Sequence, residues 1–200
     1  MPRSKQDLTV ALDLESCNMG KVWESLQKDH IEFIRNQKIF FVATAPRDGK
    51  INLSPKGMDS FRVINNNKIN WLNYTGSGNE TAAHLLEDPR MTIMFCSFEE
   101  KPLILRLYGR AGALHPRNAN WAQAISQFPD SAGARQVFEM DVDLVQTSCG
   151  ESVPFFEYVG ERDELKKWFA QKGQAGIAEY WQNRNSLSLD KKPTGISGET

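Results

Sequence analysis

The sequence is poor in the residues that build metal and disulfide sites. It contains three cysteines and three histidines among 200 residues. The cysteines, Cys17, Cys96 and Cys149, form no Cys-x-x-Cys pair, and the histidines are scattered along the chain. This pattern argues against a disulfide scaffold and against a zinc site. It favours a reducing compartment, so we expect a protein of the cytoplasm, or of both the cytoplasm and the nucleus.

The chain also lacks an excess of charge and long apolar runs. It has 24 basic and 25 acidic residues, with a formal net charge of -1. A basic surface that binds nucleic acid or an acidic membrane is therefore not expected. The longest apolar runs are far shorter than the roughly 20 residues of a membrane span. The segment 8–14 is a poor signal sequence because Thr9 and Asp13 interrupt it. We predict no metal, membrane or nucleic-acid partner.

What the sequence does contain is a series of short strand patterns joined by turns. β-Branched and aromatic runs bounded by turn residues predict strands. These strands cover residues 39–45, 51–54, 61–64, 69–74, 91–98, 103–114 and 137–148. Apolar residues at helical spacing predict helices over residues 23–37, 118–128, 162–172 and 174–185, and a further helix that ends near Pro89.

A chain of this length suits one hydrophobic core. We interpret residues 1–18 as a loose leader, residues 19–190 as a single domain and residues 191–200 as a flexible tail. The strands follow one another through short turns, and alternating strand–helix–strand units are absent. A mainly β (α+β) fold is therefore predicted, an antiparallel barrel with peripheral helices rather than a Rossmann fold.

The clearest functional signal is the loop of residues 75–81. An aromatic strand enters a Gly, Ser and Thr loop, and a helix leaves it. Exposed backbone N–H groups and the positive end of the helix dipole favour an anion there, most often a phosphate. The spacing is neither Gly-x-Gly-x-x-Gly nor Walker A. A second interpretation stays open, in which Ser77 or Asn79 caps the helix and Gly76 and Gly78 turn the chain.

Several motifs together resemble the pyridoxamine 5'-phosphate oxidase-like, FMN-binding split-barrel superfamily. The matching segments are residues 41–45, 51–57, 61–63, 76–81, 88–90 and 103–114, and the resemblance covers residues 34–145 in order. The C-terminal elements are similar to those of an uncharacterised fungal-type subfamily. Its marks here are Tyr180, Trp181, Asn185 and the segment 187–190.

The resemblance implies a six-stranded antiparallel split β-barrel with flanking helices. It further implies a homodimer with two FMN sites at the interface. Residues 60–63 would then run beneath the flavin ring, and the loop of residues 75–81 would lie beside the FMN phosphate. The implied cofactor-binding residues are Lys56, Ser60, Phe61, Arg62, Val63, Thr75, Gly76, Ser77, Gly78, Asn79 and Thr81.

The helix start departs from the family oxidase. That enzyme carries a Ser-Arg-Lys triplet where this chain has Asn79, Glu80 and Thr81, so one acid and one hydroxyl replace two cations. A phosphate would be repelled unless Glu80 points away from it. A cation must then come from Lys56, from Arg62 or from the partner chain.

The C-terminal half argues against pyridoxine-phosphate oxidation itself. The family oxidase clamps its substrate with a C-terminal Arg and His, and no histidine follows His115 here. We therefore predict an FMN-binding flavoprotein, an oxidoreductase of unknown small-molecule substrate, and assign no catalytic residue. The alternative is a non-catalytic split-barrel binding protein that has lost or changed its flavin or pyridoxal-phosphate ligand. We interpret Tyr180 and Trp181 as dimer packing rather than flavin stacking, and His84 as structural.

Overall fold

The computed structural model describes residues 20–129 and 132–198. The predicted leader, residues 1–18, lies outside the described residues. The strands are β1 (Val22–Trp23), β2 (Phe40–Thr44), β3 (Asn52–Lys56), β4 (Phe61–Asn65), β5 (Lys68–Tyr74), β6 (Arg90–Cys96), β7 (Ile104–Leu114) and β8 (Ala134–Ser148). The helices are α1 (Lys28–Asn36), α2 (Glu80–Glu87), α3 (Trp121–Ile125) and α4 (Glu164–Tyr180), and α4 runs on into a π-helical turn, Trp181–Asn185.

All the strands belong to one 8-stranded sheet in which the pairs are antiparallel. The order is β3-β2-β6-β7-β8-β5-β4, and β1 pairs with β8. The sheet curls on itself, because Phe40 on β2 contacts Phe61 on β4 near the other end of this order, with ring centroids 5.0 Å apart. The antiparallel split-barrel architecture is therefore confirmed, with eight strands in the described residues where the resemblance implied six.

The interior of the barrel is filled by large aromatic side chains from different strands. Trp71 stacks on Phe138 with ring centroids 4.5 Å apart, and Phe95 meets Phe61 edge-on at 5.0 Å. Side chains alternate between the two faces along a strand, so each strand sends every second residue inward. Burying one such side chain stabilises the fold by about 1.5–3 kcal/mol. This packing gives the loops at the strand ends a rigid base.

One predicted helix begins later than expected. The helix pattern started at Trp23, whereas α1 starts at Lys28 and Trp23 belongs to β1, opposite Val145 of β8. Strand β8 is 15 residues long, and β5 pairs only with its first half, as far as Asp141. The backbone groups farther along that edge need partners, and β1 supplies them.

The C-terminal helices are separated at the position that the sequence indicated. Gly173 lies in the left-handed region with φ 62°, so the helical conformation is interrupted between the two predicted segments. The tail differs from the flexible segment that was predicted for residues 191–200. Residues 191–198 are folded back on the domain, with Leu187 bridged to Pro193 and Thr194 only 1% exposed. Residues 199–200 lie outside the described part of the chain.

The helices that are described include none that is both long and apolar enough to span a membrane. Within residues 20–129 and 132–198 we also find no group of His, Cys, Asp and Glu side chains arranged to hold a metal ion.

Candidate anion-binding site

The loop after β5 and the start of α2 form one wall of a cavity of about 420 Å³. Strand β3 and the beginning of β8 form the opposite walls. Six of the residues predicted from the sequence line this cavity. They are Lys56, Gly76, Ser77, Gly78, Asn79 and Thr81.

Thr75 anchors the loop instead of lining the cavity. It is buried, and both its backbone N–H and its hydroxyl donate to the carbonyl of Gly133, at 2.8 and 2.9 Å. The same hydroxyl accepts a hydrogen bond of 2.8 Å from the indole Nε1 of Trp181. Thr75 therefore ties the loop to the start of β8 and to the C-terminal helix, which sets the direction in which the following glycines leave the strand.

Asn79 occupies the N-cap position of α2, but its side chain makes no capping hydrogen bond. Its Nδ2 instead donates to the carbonyl of Asn185 at 3.4 Å, and its Oδ1 is buried without a partner among the described residues. The first N–H groups of a helix have no partner within the helix. The capping interpretation of Asn79 is therefore wrong, and the cavity lies at a helix start that its own cap residue leaves open.

Gly76 adds room beside this helix start. Gly76 is not among the glycines with positive φ, and a Cβ built on it would meet no atom within 4 Å. Neither backbone strain nor a crowded neighbour in the described structure requires a glycine there. A group that approaches the loop backbone from the cavity would require one.

Glu80 turns toward the C-terminal segment. Although it borders the cavity, its carboxylate accepts the backbone N–H of Leu189, with both oxygens at 3.0 Å. The contact engages the carboxylate with the C-terminal segment, although the negative charge of Glu80 stays at the border of the cavity.

Two cations share the cavity. Lys56 enters from the end of β3, with Nζ 5.4 Å from the ring centroid of Trp71, and Arg135 enters from β8. Burial and the nearby Arg135 charge lower the pKa of Lys56 to about 8. Burial also lowers the pKa of Arg135, to about 10. Neither side chain forms an ion pair in the part of the chain that is described. Two like charges in a poorly solvated cavity attract an anion.

Arg135 was not among the site residues predicted from the sequence. The strand prediction began at Val137, which left Arg135 in the preceding loop, whereas β8 begins at Ala134. Arg135 is only 2% exposed, and its Nε has no partner among the described residues. A charged residue directly before a run of buried strand residues was the available signal, but it does not indicate which cavity the side chain enters.

The predicted ring-binding segment lies at a different cavity. Ser60, Phe61, Arg62 and Val63 line a cavity of about 440 Å³ beside α1. Gly57 borders it too, and the neighbouring Lys56 borders the helix-start cavity, so the turn after β3 connects the two.

Arg62 is bound by its own chain. Its guanidinium pairs with the Asp59 carboxylate at 2.8 and 2.9 Å, and its Nε donates to the Gln127 carbonyl at 2.8 Å. The guanidinium also lies over the Phe128 ring, 5.0 Å from its centroid. Of the two cations predicted from the sequence, the structure brings Lys56 to the helix start and leaves Arg62 outside that cavity.

The other residues weighed from the sequence make contacts within the described chain. Tyr180 packs edge-on against Trp168 with centroids 5.1 Å apart. His84 is buried, and its Nδ1 lies 3.0 Å from the Thr44 hydroxyl, which fits the structural role predicted for it. His115 belongs to a turn that its backbone forms with Asn118. Burial, Arg117 and Arg135 lower the pKa of His115 to about 4.

Comparisons with known proteins agree with this architecture. The sequence profile described as pyridoxamine 5'-phosphate oxidase matches residues 26–149. This chain belongs to that family. It is 38% identical over 190 residues to the pyridoxamine 5'-phosphate oxidase family protein ustO of Aspergillus flavus, covering 86% of this chain and 76% of that protein.

Two solved structures are similar to this chain at low sequence identity. A crystal structure of a putative pyridoxamine 5'-phosphate oxidase from Lactobacillus delbrueckii superposes with a TM-score of 0.50 at 14% identity, covering 62% of this chain and 94% of that one. HupZ of group A Streptococcus superposes with a TM-score of 0.49 at 20% identity, covering 60% of this chain and 96% of that one. The likeness to the Lactobacillus protein confirms the fold family.

Proposed function

We propose that this protein is an FMN-binding flavoprotein, and that Lys56 and Arg135 hold the FMN phosphate at the start of α2. The observation that carries the proposal is the placement of both cations, without an acidic partner among the described residues, on the cavity that contains the uncapped helix start. A dianionic phosphate would pair with the two cations and accept hydrogen bonds from the first backbone N–H groups of α2.

Lys56 and Arg135 would replace the Arg and Lys that the family oxidase carries at its helix start and that this chain lacks. The two residues lie on different strands, β3 and β8, and both line the same cavity. Removing a charge from water costs free energy unless an opposite charge compensates it. The lowered pKa values of Lys56 and Arg135 report this cost. A bound phosphate would offset it, which is a source of affinity for the phosphorylated flavin.

The flavin ring would extend past the turn after β3 toward residues 60–63. Phe61 and Val63 offer apolar surface there, and the Ser60 hydroxyl is already held by the Gly57 carbonyl at 2.6 Å. A bound flavin supplies hydride transfer, while the protein positions the ring and its substrate. With the flavin bound, the protein would act as an oxidoreductase on a small-molecule substrate.

A homodimer is part of the same proposal. Strand β3 is an end strand of the sheet. Leu53 lies on this strand and is 65% exposed, and Ile51, directly before the strand, is 76% exposed. An edge strand with exposed apolar side chains is a surface for pairing or packing. We propose that a second copy of this chain covers it. Light scattering after size exclusion should give twice the chain mass, and Leu53→Lys should give the monomer. A wild-type monomer contradicts the dimer.

The test of cofactor binding compares FMN with riboflavin, which differs only by the phosphate. The protein as purified should show a flavin spectrum or acquire one when FMN is added, and it should prefer FMN to riboflavin. Lys56→Met and Arg135→Met should each weaken FMN binding about tenfold to a hundredfold, because each removes a charge-assisted contact. Riboflavin affinity should not change.

Lys68→Met is the matched control, because Lys68 is a partly exposed lysine of β5 that pairs with Glu139 at 3.4 Å and lies outside the cavity. Equal affinities for FMN and riboflavin in the wild type would contradict the phosphate site. A protein that takes up pyridoxal phosphate but no FMN would support the alternative of a binding protein with a changed ligand.

A further inference from the structure

Asn185 connects the separate parts of the anion site. It lies at the end of the π-helical turn and is 0% exposed. Its Oδ1 accepts a hydrogen bond of 2.7 Å from the guanidinium of Arg135, and its Nδ2 donates to the carbonyl of Gly76 at 3.0 Å. Its backbone carbonyl accepts the side-chain amide of Asn79 at 3.4 Å. One side chain and its carbonyl therefore contact the cation, the loop and the N-cap residue.

The contact with Asn185 sets the direction of Arg135. A second hydrogen bond of this guanidinium within the described residues goes to the Gly76 carbonyl and is 3.5 Å long, at the limit for a hydrogen bond. The Nε group has no partner in the described part of the chain. The 2.7 Å hydrogen bond that Arg135 donates to the Asn185 Oδ1 is thus the short contact that orients the buried guanidinium beside the cavity.

The amide is suited to this task because it is neutral. A carboxylate at the same place would pair with Arg135 and cancel the charge that the cavity offers to an anion. The Asn185 oxygen accepts the hydrogen bond and leaves the positive charge uncompensated. The amide also donates to Gly76 at the same time, which a carboxylate cannot do.

Asn185 is itself held by the chain that follows it. We call residues 185–195 the C-terminal strap. Its Leu189 N–H binds Glu80 at the start of α2, and its Lys192 ammonium binds Glu87 at the end of α2, at 2.8 Å. The hydroxyl of Thr194 donates to the Asn185 carbonyl. The strap therefore runs along the whole of α2 and fixes Asn185 beside the helix start.

We propose that Asn185 is a positioning residue for phosphate recognition, which aims the Arg135 guanidinium at the cavity and holds the Gly76 loop beside it without neutralising the cation. This inference rests on the proposed function, since it concerns the same cavity. It makes Asn185 part of the binding site and gives its side chain, which contacts Arg135 and Gly76, a role in the discrimination between phosphorylated and unphosphorylated flavin.

Asn185→Asp tests the inference. The new carboxylate pairs with Arg135 but loses the hydrogen bond to the Gly76 carbonyl, so the variant should stay folded, with a slightly lower melting temperature than the wild type. Its preference for FMN over riboflavin should fall about tenfold or more, because a charge-assisted contact is lost. A merely structural role for Asn185 predicts equal weakening for both flavins. A wild-type ratio in Asn185→Asp overturns the inference.

Thr194→Val is the matched control within the strap. It removes the hydrogen bond to the Asn185 carbonyl but leaves the side-chain contacts to Arg135 and Gly76 in place. It should lower the melting temperature and keep the ratio of the two flavin affinities. If the preference for FMN over riboflavin falls as far in Thr194→Val as in Asn185→Asp, the strap affects binding only by stabilising the fold. That result would also overturn the inference.

Failure of the proposed function is seen in the wild type alone, as a lack of FMN binding. Inorganic pyrophosphate is then the probe, measured by calorimetry. Binding by the wild type and its loss in Asn185→Asp would support the positioning role for an anion other than FMN. A wild type that binds neither FMN nor pyrophosphate overturns both proposals, and equal pyrophosphate binding by wild type and variant overturns the positioning role.

Discussion

The carboxylate of Glu80 accepts the backbone N–H of Leu189, 109 residues later in the chain, with both oxygens at 3.0 Å. Through this contact the acid at the helix start is engaged by the C-terminal strap. The Glu80 charge still lies beside a cavity that we propose to hold a phosphate. Turning the carboxylate toward Leu189 lengthens its distance from the phosphate, which weakens the Coulomb repulsion without removing it.

Glu80→Gln should tighten FMN binding about twofold to fivefold, because it removes one like charge near the phosphate. The amide oxygen of glutamine can still accept the Leu189 N–H, so the strap should stay in place. The measurement is a titration with FMN and with riboflavin at low salt. Glu87→Gln, at the other end of α2, is the control and should leave FMN affinity unchanged. Weaker FMN binding by Glu80→Gln would contradict the prediction.

FMN affinity should fall as the pH rises from 7 to 9. The free protein has a Lys56 pKa of about 8, and a dianion binds the protonated lysine better, so deprotonation opposes binding above that pH. A loss of about tenfold across this range is expected, since the phosphate itself is already fully ionised. Arg135, with a pKa of about 10, stays charged. Lys56→Arg should flatten the profile, and the same slope in that variant would refute the role of Lys56.

Lys56→Met should stabilise the ligand-free protein at pH 7. The substitution removes a buried cation that has no ion pair among the described residues, and it retains an unbranched apolar side chain against Trp71. We expect a gain of about 1–2 kcal/mol, or about 2–6 °C in melting temperature, together with weaker FMN binding. Thermal unfolding without ligand measures it. Lys50→Met removes an exposed, paired lysine and should bring no gain. A lower melting temperature for Lys56→Met would be inconsistent with the uncompensated charge.

Arg62→Met should destabilise the fold and leave the preference for FMN over riboflavin intact. The guanidinium holds the Asp59 turn and the Gln127 carbonyl, so its removal should cost about 1–2 kcal/mol. Urea unfolding measures the loss, and flavin titration measures the preference. A selective loss of FMN affinity in Arg62→Met would show that Arg62 contacts the phosphate after all.

Much of the fold is local in origin and was predictable. The seven expected strands correspond to β2–β8, because alternation and turn residues act over a few neighbouring positions. The break at Gly173 was equally visible. β1 escaped prediction because two residues carry no periodicity, and its pairing with β8 depends on where β5 ends.

The candidate site was predictable only in part. The helix start and Lys56 were found, since a Gly-rich loop between a strand and a helix is a local pattern, and since the family motif includes the segment that ends at Gly57. Arg62 was one of the possible sources of a cation for the phosphate, and its own chain binds it instead. A strand arginine reveals its face by alternation but not its partners, because Asp59 and Gln127 reach it through the fold.

The sequence by itself determined the strands, the helix start and the family, because each depends on residues close together in the chain. Only the tertiary structure decided which charges meet at that helix start. Arg135 and Asn185 lie 59 and 109 residues beyond Gly76, and they reach it through the pairing of β8 with β5 and the return of the C-terminal strap. Such convergence depends on strand order and packing between distant segments, and no local pattern records either.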